Sequence, residues 1–79
     1  MKKDLRKQAE ILAGQPYTVD VSRDETTDGK FVYLATHPEL PGCMAQGITI
    51  EEAKVNLKEV AAEYILSLLE DKLSVPEPR

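Results

Sequence analysis

The chain is poor in the residues from which most small sites are built. It has one cysteine, Cys43, and one histidine, His37. One cysteine closes no internal disulfide and supplies no structural zinc site, a usage that points to a reducing, cytoplasmic setting. No Cys-x-x-Cys or His-x-x-x-His spacing is present to ligate a metal. Of the four glycines, those in the Pro41-Gly42 and Gln46-Gly47 steps match no phosphate-cradling loop. No apolar run approaches the roughly 18 residues needed to cross a bilayer. The basic start, Met1-Lys-Lys-Asp-Leu-Arg-Lys7, is not followed by the apolar stretch of a secretory signal. A protein with no membrane segment and no cofactor is expected.

What is present fits one domain, residues 1–79. Hydrophobic residues make up 42% and charged residues 30%, ordinary for a globular chain and not for a disordered one. A domain of this size hides only about 60% of the surface its unfolded chain exposes, so self-association or a partner is expected to help it. Charge is uneven along it. Residues 1–14 carry four bases against two acids, whereas residues 15–79 carry six bases against twelve acids. An acidic body repels phosphate backbones and attracts basic partners.

Periodicity places five pieces. Leu5, Ala9 and Leu12 at helical spacing, with Gly14 as a stop, predict an N-terminal helix within residues 1–14. A three-stranded sheet is expected over 17–47. Its first strand alternates from Tyr17, with Val19 and Val21 inward. Asp28-Gly29 is the hairpin turn. The second strand, Phe31-Val-Tyr-Leu-Ala35, is apolar at every position, so both of its faces should be covered. One cover is the following helix; the other is the N-terminal helix, a second copy or a partner. A third strand runs through Cys43-Met-Ala-Gln46. Ile48-Thr-Ile-Glu-Glu-Ala53 then reads as a helix start, with Thr49 capping, Glu52 reaching back, and Ile48 and Ala53 as a weak staple. The long helix spans 49–71, with Ala53, Leu57, Val60, Ala61, Tyr64, Ile65 and Leu68 on its buried face. Its end lacks a glycine cap, and 74–79 is an extended, proline-rich tail. The fold class is α+β, a three-stranded antiparallel sheet in β-β-β-α order packed on one long helix, with a short N-terminal helix.

Catalysis has little to work with. A cysteine nucleophile needs a base in hydrogen-bond reach and donors for an oxyanion. Cys43 falls in a strand beside Met44 and Ala45, and His37 is held extended by Pro38. Asp20, Asp24 and Glu25 could hold magnesium, but a solvated strand end is the plainer use. Pro38 and Pro41 stiffen the crossover, Gly42 permits a tight turn, and Gly47 releases the chain into the helix cap.

The same residues carry a family resemblance. Tyr17-x-Val19, then Pro38-Glu-Leu-Pro-Gly-Cys43-x-Ala45-x-Gly47-x-Thr49-x-x-Glu52-Ala53-x-x-Asn56-Leu57-x-Glu59, and Pro76-Glu-Pro78 closely resemble HicB-like antitoxins across about residues 16–78. The resemblance implies a partial RNase H-like core that is not itself a nuclease. It implies association with itself and occlusion of HicA, a small basic toxin that cleaves mRNA. Three features depart from the pattern. No helix-turn-helix or ribbon-helix-helix segment follows, so DNA binding by this chain alone is not expected. The family's last core strand is also missing, and Lys72 stands where many relatives have glycine.

Two classes of function follow. One is an antitoxin whose contacts to a HicA-like toxin are Glu25, Asp28, Phe31, Tyr33 and Glu39. Among these, Phe31 and Tyr33 also suit a core. The alternatives are a solitary homo-oligomer with no toxin, or a degenerate RNase H-like module that binds nucleic acid through Lys2, Lys3, Arg6 and Lys7.

Overall fold

Alanine at helical spacing sets how the two helices meet. A computed structural model describes residues 2–78, with side chains from Asp4 to Pro78; the side chains of Lys2 and Lys3, and all of Arg79, lie outside the described residues. Helix α1 spans Lys2–Ala13 and helix α2 spans Ile50–Glu70. Ala9 and Ala13 of α1 and Ala53 and Ala61 of α2 are buried, and such short side chains let helix axes approach closely. The two helices pack on each other. Between them in sequence lie β1 (Asp20–Glu25), β2 (Phe31–Thr36) and β3 (Met44–Gly47), antiparallel and in the order β1-β2-β3.

Helix α2 also covers one face of the sheet, chiefly β3 and β2. The pleat sorts the strands accordingly. Ala35 pairs with Val21 and Ala45, and Tyr33 pairs with Arg23 and Gly47. These odd-numbered positions face α2, and Ala35, Ala45 and Gly47 are buried there. Val32, Leu34, Thr36, Met44 and Gln46 point the other way, and among the described residues no helix packs over them. The second cover demanded by an all-apolar β2 is therefore not α1, which packs on α2 instead.

Strand β1 begins at Asp20, not at Tyr17 as the alternation predicts. Pro16 has no amide hydrogen to offer, and the backbone of Thr18 is bonded by side chains from residues 37–39. The segment is extended but belongs to no ladder, and Val19 is 41% exposed. Strand β3 likewise starts one residue late, because the Cys43 amide donates to the Leu40 carbonyl at 2.9 Å.

The end of α2 is better defined than a missing glycine suggests. Lys72 adopts φ 57°, its amide donates to Leu69, and the Leu73 amide donates to Leu68. That pair of bonds is a Schellman motif with lysine in the left-handed position. Three large side chains, Leu40, Leu57 and Ile65, are fully buried at the centre.

Candidate interaction surface

The stretch from His37 to Gly47 folds back on itself and grips the chain ahead of β1. The Leu40 amide donates to the His37 carbonyl at 3.0 Å, and the His37 amide donates to the Cys43 carbonyl at 3.4 Å. Gly42, at φ 83°, takes the left-handed turn that any side chain would oppose. From this loop His37 Nδ1–H donates to the Thr18 carbonyl at 2.7 Å. The imidazole also lies 5.5 Å from the Tyr17 ring, centroid to centroid. Both chemistry-bearing side chains are thus committed to structure. Cys43 is 2% exposed, and burial pushes its thiol above the ordinary 9.0, away from the thiolate a nucleophile needs.

Glu39 corrects an expectation. Predicted as a partner contact, it is 6% exposed and turned inward. Its carboxylate accepts from the Thr18 amide at 2.9 and 3.2 Å and from the Thr18 hydroxyl at 2.9 Å. A buried carboxylate needs such donors, and the extended Thr18 backbone supplies them. Residues 38–43 are therefore a clasp, with Pro38, Pro41 and Gly42 as its exposed corners and Leu40 and Cys43 as its inner wall.

Gly47, Thr49, Glu52 and Ala53 join this clasp to α2. The Thr49 hydroxyl accepts from the Glu52 amide at 3.0 Å, as the capping pattern predicts. Ile48 is 72% exposed and staples nothing. Asn56 Nδ2 donates to the Gln46 carbonyl at 2.8 Å, fixing the helix to the edge of β3.

The four other predicted contacts gather at the hairpin end. Asp28 sits at its tip, accepting from the Thr26 hydroxyl, and that bond holds its carboxyl below the ordinary 3.8. Glu25 and Phe31 are partners across β1 and β2. Phe31 is 51% exposed and lies under the Arg23 guanidinium, 4.6 Å from its centroid. Tyr33 is half-buried and packs against the core. All three project on the helix side of the sheet.

Sequence reasoning passed over the opposite side. There Val32, Leu34 and Thr36 are half-buried and Met44 is 51% exposed, with the exposed Asp20, Ser22 and Asp24 alongside. The period of two in β2 carried this signal, since Val32 and Leu34 share one parity and Phe31 and Tyr33 the other. The same parity separates Asp20 and Asp24 from Glu25, across the sheet. Among the described residues no three His, Cys, Asp or Glu side chains come together to hold a metal ion. None of the described helices is long and apolar enough to cross a membrane.

Comparison with known proteins gives this surface a context. The chain is 43% identical over 60 residues to the UPF0150 protein Ta0767 of Thermoplasma acidophilum, covering 76% of this chain and 81% of that one. It is 40% identical over 67 residues to the UPF0150 protein ssr1765 of Synechocystis, covering 85% and 82%. An uncharacterized 14.9 kDa protein from the rep-hol intergenic region of Haemophilus phage HP1 is 35% identical over 54 residues. The match takes in 68% of this chain but only 38% of the phage protein. No solved structure matches. Residues 17–79, which span the clasp, the sheet and α2, match the family described as HicB_like antitoxin of bacterial toxin-antitoxin system, and the chain belongs to that family.

Proposed function

We propose that this protein is an antitoxin that binds a small basic, mRNA-cleaving toxin of the HicA type and covers its active site, in the cytoplasm and without chemistry of its own. The observation that carries the reading is a family match across the whole sheet, one face of which no helix packs on among the described residues. Twelve acids against six bases in residues 15–79 supply the attraction for a basic ribonuclease. Glu25, Asp28 and Phe31, exposed at the hairpin end, belong to the contact; Tyr33 supports Phe31 from the same face. Cys43 and His37, the two side chains suited to nucleophilic catalysis, are spent on the clasp, which supports a non-enzymatic role.

The antiparallel β1-β2-β3 meander followed by a helix on one face supports reading the domain, with its extended tail, as part of an RNase H-like fold. Self-association completes the proposal. Ile48 and Ile50, 72% and 42% exposed at the start of α2, favour a contact between copies there. Light scattering of the purified protein tests it: a monomer at every concentration rules the contact out.

Co-expression with the product of a neighbouring gene for a small basic protein tests the main reading. Rescue of growth and a stable complex on pull-down are the expected results. Arrest that persists, with no complex, would defeat it.

A further inference from the structure

The face of the sheet turned away from α2 has a composition that the rest of the surface lacks. Its middle is apolar, with Val32 and Leu34 on β2 and Met44 on β3. Its β1 side is acidic, because Asp20 and Asp24 share the parity of Ser22 and project on the same face. No lysine or arginine projects from the three strands on this side. Lys30 precedes β2 at the hairpin, two residues after Asp28.

We propose that this face, Val32, Leu34 and Met44 bordered by Asp20 and Asp24, is where a small basic protein docks. The proposal deepens the antitoxin reading and rests on it, and it moves the centre of the contact to the opposite side of the sheet from Phe31 and Tyr33. Three observations select the occupant. The chain's own segments are committed elsewhere: α1 packs on α2, and the C-terminal tail is held by the Tyr17 hydroxyl, which donates to the Pro76 carbonyl. A second copy would bring two pairs of aspartates toward each other with no facing base in the strands, a like-charge contact that costs affinity. Nucleic acid is repelled by the same aspartates.

Size adds a condition. Three strands about 4.8 Å apart and roughly 20 Å long cover roughly 300 Å², the scale of a functional patch on a monomer but under the roughly 800 Å² per partner of a standard interface. The partner must therefore continue past the open edge of β1 or over the hairpin. Met44 and Leu34 form the apolar centre, and Asp20 and Asp24 steer and orient the basic partner.

Charge reversal on exposed residues tests this without touching the core. The toxin obtained from co-expression, in a catalytically silenced form, is titrated with wild type, with D20K/D24K, and with E59K/E63K. The last makes the same charge change on α2, away from the sheet. D20K/D24K is expected to weaken binding at least tenfold and to flatten its salt dependence, with E59K/E63K within threefold of wild type. In parallel, Met44→Cys is labelled with a maleimide. The buried Cys43 stays quiet, and toxin is expected to slow labelling at position 44 at least tenfold. If wild type binds while D20K/D24K binds equally well and position 44 labels freely in the complex, the docking face is wrong and the antitoxin reading stands. If wild type binds no toxin, both fall. Slowed labelling at position 44 in the isolated protein as its concentration rises would assign the face to a second copy and overturn the proposal.

Discussion

A Cβ placed on Gly47 would come within 2.3 Å of the Ala53 amide nitrogen and 2.8 Å of the Glu52 carbonyl carbon. Both are backbone atoms in the first turn of α2, so neither can rotate aside and the helix itself must move off β3. Gly47→Ala is expected to lower stability by about 1–3 kcal/mol, the range for overpacking. The urea midpoint should fall with an unchanged slope. Lys72 is the opposite case. It holds the left-handed position of the Schellman motif at φ 57°, where a Cβ crowds the following carbonyl. Lys72→Gly should raise stability by about 0.5–1 kcal/mol, after allowing for the extra freedom glycine gains when unfolded. Calorimetry will show a higher thermal midpoint if the strain is real.

Among the elements, those whose stabilising partners are neighbours in sequence were legible. Thr49 and Glu52 stand three residues apart, and the Thr49 hydroxyl caps the Glu52 amide as their spacing implies, without the Glu52 side chain returning to the Thr49 amide. The Asp28-Gly29 step turns with Gly29 at φ 82°. Thr49→Ala is expected to cost about 1 kcal/mol, the usual loss of a helix cap, while Thr49→Ser should cost far less. Equilibrium unfolding of the two variants side by side checks it. Elements whose partners are distant were not legible. Tyr17 to Val19 has the alternation of a strand, yet Glu39, 21 residues from Thr18, and His37, 19 residues away, take the backbone groups a ladder would have used. The same distance effect hid the inward turn of Glu39, which looks from its neighbours like a surface acid in a proline-rich loop. For β2 the pattern showed that both faces were apolar but could not show which one α2 would take. That choice depends on Ala35, Ala45 and Gly47, whose small size admits the helix on one side only.

For the whole molecule, the C-terminal tail and the clasp converge on Tyr17. Its ring lies against His37, its hydroxyl donates to the Pro76 carbonyl in the tail, and Glu39 anchors the next residue. Burial, then the negative charge of Glu39, then that of Glu77, raise the Tyr17 hydroxyl above the ordinary 10.0. Burial alone raises the Cys43 thiol above 9.0. In both groups the fold favours the protonated form, so the folded protein keeps these protons to higher pH than the unfolded chain does. The stability they contribute is complete below the unfolded values and is lost as pH climbs through the folded ones. The urea midpoint should therefore hold steady below the ordinary thiol value of 9.0 and decline as pH climbs past it and past the ordinary phenol value of 10.0. Tyr17→Phe divides the effect. At neutral pH it should cost about 1 kcal/mol for the lost bond to Pro76. Above pH 10 its decline should be shallower than that of wild type, because one of the two titrating groups is gone. The tail should also exchange its amide hydrogens faster in Tyr17→Phe at every pH. Parallel alkaline slopes for the two proteins would mean that the Tyr17 hydroxyl holds its proton no more tightly in the fold than in the unfolded chain.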